Sequence, residues 1–179
     1  MFSVGEKVVY PGHGVAVVNQ VIQRTFGGSS TLLYELKFLN KDMTILVPID
    51  NLTSIGIRQV SSPAVINALW QLLLEQVSIN YSELVVATWN KRNKKYQTIL
   101  RSGNMQEIAR IYRELQSLGH AKELSFGERQ LLAQVELLLA QEISLVEQAT
   151  VEEAIARLRA CCCPSHMRTN TIRSYNTGL

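Results

Sequence analysis

The sequence predicts an α+β protein in two domains, a strand-rich domain over residues 1–60 and a helical domain over residues 61–163. Two observations carry this prediction: short β-branched runs separated by turn signals, and a change to helical periodicity after Ser61-Ser62-Pro63. A chain of 179 residues is long enough for two small domains, each with its own core.

The first sixty residues contain about five strands and no helical pattern. The apolar runs cover residues 6–10, 15–25, 32–39, 44–48 and 55–60. Turn signals separate them at Pro11-Gly12-His13-Gly14, Gly27-Gly28-Ser29-Ser30 and Asn40-Lys41-Asp42. Such a pattern predicts a small antiparallel barrel or a strongly bent sheet.

About five helices are predicted after Pro63, which suits a first helical position capped by Ser62. A second helix is expected from near Ser82 to Leu100, ended by Gly103, and a third from Asn104 to near Gly119. The last two helices have capping-box signatures, at Ser125 with Glu128 and at Thr150 with Glu153. Short connections favour a compact all-α bundle, and residues 164–179 are expected to be disordered.

The charge is focused rather than large. The net charge is +3, but residues 61–101 alone carry +3 and residues 102–163 carry −3. Such focusing steers an anionic partner. With no secretory signal and no span that could cross a membrane, the protein is expected to be cytoplasmic.

The sequence does not indicate an enzyme. It contains no phosphate-binding loop, no dinucleotide fingerprint and no His-Glu-x-x-His. His13 has no neighbouring catalytic partner, and its glycine-rich surroundings are explained by a tight turn. Cys161, Cys162, Cys163 and His166 lack the second cysteine pair of a zinc site. No catalytic residue, metal or cofactor is therefore expected.

Trp89 heads the densest basic run, which continues with Asn90, Lys91, Arg92, Asn93, Lys94, Lys95 and Tyr96. An apolar ring beside several cations suits a surface that grips phosphates and inserts into a groove. Alternatively, Trp89 packs inward while the long basic side chains extend to solvent. Trp70, among leucines, has the surroundings of a core residue, so Trp89 is not needed for that purpose.

The chain resembles the CarD/CdnL transcription regulators of bacteria over roughly residues 1–160. The matching segments run Val4-Gly5-Glu6-Lys7-Val8-Val9-Tyr10-Pro11-Gly12-His13-Gly14, Thr44-Ile45-Leu46-Val47-Pro48, Gly56-Ile57-Arg58, Trp89 with its basic followers, and Leu124-Ser125-Phe126-Gly127-Glu128-Arg129. The opening segment is also similar to the polymerase-binding module of transcription-repair coupling factors. No helicase motif accompanies it here.

The resemblance implies that the first domain is a Tudor-like barrel that binds the β subunit of RNA polymerase. The positions that align with the family's polymerase-binding residues are Arg24 and the strand segment Leu46, Val47 and Pro48. One departure affects this interface, because Leu46 stands where the family has an arginine.

For the second domain, the resemblance implies contact with promoter DNA at the upstream edge of the transcription bubble. Trp89 matches a wedge residue, and the basic run of Lys91, Arg92, Lys94 and Lys95 matches its companions, with little sequence specificity. The expected function is stabilisation of the open promoter complex by a monomer. The alternative is an adaptor that links the polymerase to another protein without binding DNA.

Overall fold

A computed structural model describes residues 1–26, 28–75 and 88–162. Its N-terminal part is a five-stranded antiparallel sheet with the order β4-β3-β2-β1-β5. The strands are β1 (Lys7–Tyr10), β2 (Gly14–Phe26), β3 (Ser29–Phe38), β4 (Thr44–Pro48) and β5 (Arg58–Gln59). The predicted strand positions are thus confirmed to within a few residues.

The predicted barrel does not close. Strands β4 and β5 are the two ends of the sheet, and each pairs with one neighbour among the described strands. Strand β5 is only two residues long, so it offers too few backbone groups to extend the ladder. A register shift between Val18 and Gln20 bends β2 instead, as β-bulges do. The strand pattern predicted either a barrel or a strongly bent sheet, and the structure has the bent sheet.

One face of this sheet forms the core of the N-terminal part. The buried side chains alternate along the strands, as expected for a sheet with one covered face. The cluster consists of Val8, Ala16, Val18, Tyr34, Leu36, Phe38, Val47, Leu52 and Ile57. The Tyr34 hydroxyl donates to the Phe2 carbonyl at 2.7 Å and accepts from the Phe2 amide at 3.0 Å. The N-terminus is therefore held against the same core.

The described residues contain six α-helices, against about five predicted. They are α1 (Leu52–Ile55), α2 (Pro63–Leu74), α3 (Trp89–Ser102), α4 (Met105–Ala121), α5 (Phe126–Glu147) and α6 (Val151–Cys161). The helix that the sequence did not predict is α1, a single turn ended by Gly56 at φ +83°. None of the described helices is long and apolar enough to cross a membrane. The prediction of one helix from near Ser82 to Leu100 is wrong at its start, because Thr88 is not helical and α3 begins at Trp89. Ser82 itself and the predicted tail lie outside the described residues.

Both predicted capping boxes are confirmed. The Ser125 hydroxyl accepts from the Glu128 amide, and the Glu128 carboxylate accepts from the Ser125 amide, at the start of α5. Thr150 and Glu153 repeat the arrangement at α6. Hydrogen bonds from Thr150 lower the pKa of the Glu153 carboxyl. These caps satisfy amides that the helix itself leaves without partners.

The chain divides into two compact units. The first comprises residues 1–62 and 89–104, so it includes α3 as well as the strands. The second comprises residues 63–88 and 105–179, with α2, α4, α5 and α6 as its described helices. We call them the sheet unit and the helical unit. The sequence predicts instead that α3 belongs to a helical domain of residues 61–163, and that domain boundary stays a prediction.

Trp70 lies half-buried in the helical unit. Its ring nitrogen donates to the Glu147 carboxylate at 2.7 Å, and the Arg157 guanidinium carbon lies 4.6 Å from its ring centroid. Arg157 also pairs with Glu147. Trp70 therefore joins α2 to α5 and α6 through its contacts with Glu147 and Arg157, and it is half-buried where its leucine neighbours predicted a core position.

A buried polar network centred on Glu136 holds three helices of this unit together. Arg159 of α6 donates from Nε and Nη2 to the two Glu136 oxygens of α5 at 2.9 and 2.7 Å. Tyr112 of α4 donates its hydroxyl to Glu136 at 3.0 Å and accepts from Gln116 at 3.0 Å. Burial, and then the Glu136 charge, raises the pKa of Tyr112, so the hydroxyl stays protonated as a donor.

Replacing Glu136 tests this network. We expect Glu136→Gln to lower the free energy of unfolding by about 1–2 kcal/mol, because a buried acceptor for two donors loses its charge while Arg159 remains partly hydrated. Chemical denaturation followed by circular dichroism measures the change. Glu123→Gln is the matched control, because the Glu123 side chain is 93% exposed and its loss should change stability by less than about 0.5 kcal/mol. Equal effects of the two substitutions would contradict the role assigned to Glu136.

Candidate functional site

Helix α3 concentrates positive charge within the sheet unit. It carries five basic residues and no carboxylate: Lys91, Arg92, Lys94, Lys95 and Arg101. The sheet unit as a whole has ten basic and four acidic residues, whereas the described part of the helical unit has six basic and ten acidic residues. An anionic partner is therefore attracted to the sheet unit, and to α3 in particular.

One face of α3 is buried in a row of residues spaced four apart. Arg92, Tyr96 and Leu100 are 9%, 1% and 1% exposed. Because residues four apart lie on one side of an α-helix, this row defines the packed face. Tyr96 and Leu100 supply the apolar contact, and the row extends back toward Trp89, three residues before Arg92.

The opposite face of α3 presents the lysines to solvent. Lys91, Lys94 and Lys95 are exposed, and Thr98 and Arg101 continue the exposed face along the helix. Their spacing of three or four residues places them side by side. The structure thus brings together three of the four predicted basic contacts in a form that can reach phosphates.

Trp89 lies in the first turn of α3 and is half-buried. The guanidinium carbon of Arg92 lies 5.9 Å from the centroid of its ring, a separation at which a cation is attracted to an aromatic face. Arg92 was predicted as a phosphate contact together with the lysines. The structure instead places it on the buried face of α3, near Trp89.

The C-terminal end of α3 is attached to the sheet unit through Arg58 of strand β5. Arg58 donates from Nε and Nη2 to the Gly103 carbonyl at 3.1 and 2.9 Å. Gly103 has φ +67° and ends the helix, as glycine commonly does. A cation at this position also interacts favourably with the negative end of the helix dipole.

Pro11 fills the space between two glycines at this attachment. A Cβ atom on Gly56 would lie 3.4 Å from Pro11 Cγ, and one on Gly103 would lie 3.3 Å from the same atom. Pro11 is itself buried. The turn Pro11-Gly12-His13-Gly14, which the sequence analysis explained only as a tight turn, therefore also provides the surface on which the end of α3 rests.

A second candidate site lies on strands β2, β3 and β4. Cross-strand pairs place Arg24 opposite Thr31, Leu33 opposite Ile22 and Pro48, and Glu35 opposite Gln20 and Leu46. Directly opposed residues share a face of the sheet, and so do alternate residues along one strand. Arg24, Leu46 and Pro48 therefore share the outer face, which we call the docking face.

Val47 belongs to the opposite face. It pairs with Tyr34 and is 3% exposed, whereas Leu46 is 40% exposed. Of the four residues that the family resemblance indicated, Val47 can thus offer a partner only its main chain. Strand β4 is an end of the sheet, so main-chain pairing along it is geometrically open.

Glu35 explains part of the environment of Leu46. Its carboxylate accepts hydrogen bonds from the side-chain amides of Asn19, at 3.1 Å, and Gln20. Two neutral amides therefore donate hydrogen bonds to the Glu35 carboxylate. An arginine at position 46 could also have reached this carboxylate across the strands. The docking face therefore includes the cation Arg24 and, at position 46, an exposed apolar side chain where the family has an arginine.

The described residues contain no group of three side chains arranged to hold a metal ion. Cys163 and His166 lie outside them. His13 stacks against Tyr10, with ring centroids 5.0 Å apart. Partial burial, followed by the charge of Lys41, lowers the pKa of His13. This ring therefore favours the neutral form and contributes to packing.

An open sheet that has β4 as an end strand and a basic helix belong to the same compact unit, and comparison with known proteins specifies the class of the protein. Residues 2–61 match the CarD-like/TRCF RID domain, and residues 74–159 match the C-terminal domain of CarD. The chain belongs to the CarD family of transcription regulators. It is also 22% identical over 153 residues to "Putative transcription factor YdeB" of Bacillus subtilis (strain 168), covering 86% of this chain and 97% of that protein.

The bond between Arg58 and the end of α3 was not predicted from the sequence. Arg58 was noted only as part of a matching segment, and its bond to Gly103 spans 45 positions. The available signals were a predicted helix-ending glycine at position 103 and an arginine two residues after Gly56. Neither signal indicates that these two residues contact each other.

Proposed function

We propose that this protein binds the β subunit of RNA polymerase through its docking face and contacts promoter DNA through helix α3, stabilising the open promoter complex. One observation carries the proposal: Trp89 and the exposed lysines belong to the same compact unit as the docking face. A polymerase bound to that face would therefore carry the basic helix with it. The polymerase partner also implies a cytoplasmic location, and we propose that the protein acts as a monomer.

Trp89 supplies the contact that distinguishes opened from closed DNA. A half-buried ring in the first turn of a helix is held in place yet presents part of its surface. Apolar side chains that enter the minor groove separate adjacent bases. Because bases at the edge of a bubble are already partly unstacked, such a ring binds that junction more favourably than it binds closed duplex, and it shifts the equilibrium toward the open state.

The exposed lysines add affinity without reading sequence. Lys91, Lys94 and Lys95 present their charges from one face of α3, and contacts with phosphates position a protein on DNA without distinguishing bases. Arg92 enters the proposal by orienting Trp89. Little sequence specificity is therefore expected.

Docking on the polymerase uses two kinds of contact. Strand β4 can extend a sheet of the partner through its main chain, which is how Val47 takes part. Arg24, Leu46 and Pro48 give the face its charge and shape. Leu46 replaces a charged contact with an apolar one, so the complementary polymerase surface should be less acidic at that point.

The adaptor is the second candidate function. The excess of acidic residues in the helical unit suits a protein partner better than DNA. It would be favoured over the proposed function if substitutions in α3 left the open complex unchanged while the protein still bound the polymerase.

Replacing Trp89 tests the wedge. We expect Trp89→Ala to shorten the lifetime of open complexes about tenfold, since stacking of an aromatic ring on a base contributes roughly 1–3 kcal/mol. Trp89→Phe should have a smaller effect because it keeps an apolar ring. Competitor-challenged lifetimes with the cognate polymerase measure the effect, and Trp70→Phe is the control. A native lifetime for a folded Trp89→Ala protein would refute the wedge.

Replacing one exposed lysine tests the phosphate contacts. We expect Lys94→Gln to shorten the open-complex lifetime by a few fold at low salt and to make the lifetime less dependent on salt, because each lost contact removes about one released counterion. The control, Lys41→Gln, removes an exposed lysine of the same unit that lies outside α3. If both variants change the salt dependence equally, the contacts are not specific to α3.

Reversing the charge of Arg24 tests the docking face. We expect Arg24→Glu to reduce co-purification with the β subunit at least tenfold, because the charge that this exposed residue presents from the docking face is reversed. Lys41→Glu changes the net charge by the same amount away from the face and should bind normally. Normal binding of Arg24→Glu would mean that the polymerase uses another surface.

A further inference from the structure

Helix α3 is poorly suited to stand alone. It has 14 residues, a length at which isolated helices are marginal in water. Lys91 lies three and four residues before Lys94 and Lys95, so like charges repel along its exposed face. Its position must therefore come from tertiary contacts at its buried face and at its end.

Arg58 makes the most directional of those contacts. Two guanidinium nitrogens converge on one carbonyl oxygen, that of Gly103, while Nη1 donates to the Gln59 carbonyl at 2.9 Å. Charge-assisted hydrogen bonds of a planar guanidinium fix direction as well as distance. The same residue lies in β5, which pairs with β1, so its backbone is fixed by the sheet.

Pro11 also packs closely at the Gly103 attachment. A Cβ atom on Gly103 would approach Pro11 to 3.3 Å and Arg58 Nε to 3.7 Å, so little space remains for the helix end to shift toward them. A Cβ atom on Gly12 would lie 4.0 Å from the Leu100 carbonyl oxygen. Arg58 and the Pro11 turn thus both lie against the end of α3.

We infer that Arg58 is a positioning residue for DNA contact: its clamp on Gly103 sets where α3, and with it Trp89, lies relative to the docking face. This inference rests on the proposed function. Arg58 would not touch DNA or the polymerase. When the polymerase is bound, Arg58 would hold Trp89 at a defined position. An untethered helix would sample many positions, and only a fraction of them would reach the junction.

The test compares Arg58→Ala, Arg58→Lys and Trp89→Ala in the full chain. We expect Arg58→Ala to accelerate amide hydrogen exchange in the last two turns of α3 and to shorten open-complex lifetimes about three- to tenfold. Co-purification with the β subunit should stay native. Arg58→Lys should restore part of the lifetime, since one ammonium can still donate to the Gly103 carbonyl. Arg110→Ala, which removes an exposed arginine of the helical unit, should change neither measurement.

The double variant Arg58→Ala with Trp89→Ala separates positioning from an independent effect. If Arg58 acts through the placement of α3 and Trp89, the double variant should lose less than the two single losses combined, because only the lysine contacts remain to be misplaced once Trp89 is gone. Fully additive losses would overturn the inference, as would a native lifetime for Arg58→Ala despite faster exchange in α3. Unchanged exchange in α3 would show that the clamp does not hold the helix.

A second variant tests the clamp from the helix side, in case Arg58→Ala does not fold. Gly103→Ala crowds Pro11 at a positive φ, whereas Gly5→Ala imposes a similar backbone strain at φ +86° with nothing within 4 Å. Only Gly103→Ala should shorten the lifetime; equal effects of both would overturn the inference. A native lifetime for Trp89→Ala would instead refute the proposed function itself, which distinguishes the two failures.

Discussion

The bond between the Arg58 guanidinium and the Gly103 carbonyl is the most directional contact between the sheet and the end of α3 among the described residues. It joins a two-residue strand at one end of the sheet to the end of a helix 45 positions later. Without it, α3 would be a short helix with repelling lysines, resting on one row of buried side chains. With the bond from Arg58 to Gly103, the charged helix α3 is a fixed part of the surface of the sheet unit.

This constraint explains how two chemically different faces can share one small unit. The sheet buries an apolar face and leaves strand β4 at its edge, while α3 buries Arg92, Tyr96 and Leu100 and exposes its lysines. Each element thus has one packed side and one available side. Burial stabilises the fold, and the remaining surfaces are free to differ in charge, so a docking face and a basic helix do not compete for the same residues.

The helical unit is stabilised in a different way. Its helices are capped by two complete capping boxes and joined by the Glu136 network and the contacts of Trp70. Here charged groups hold helices to one another instead of facing a partner. The described part of this unit has more acidic than basic residues, whereas α3 carries five basic residues and no carboxylate.

The sequence by itself determined the strand positions, the glycine that ends α3 and both capping boxes, because turns and caps depend on residues within a few positions of each other. Together with its motifs it also indicated the family. Only the tertiary structure decided that the sheet stays open, that α3 belongs to the same compact unit as the strands and that Arg92 is buried near Trp89 while the lysines are exposed. The physical reason is that periodicity identifies which residues of a helix are buried but not what buries them. That choice depends on contacts such as Arg58 with Gly103, which are distant in the chain and leave no local pattern.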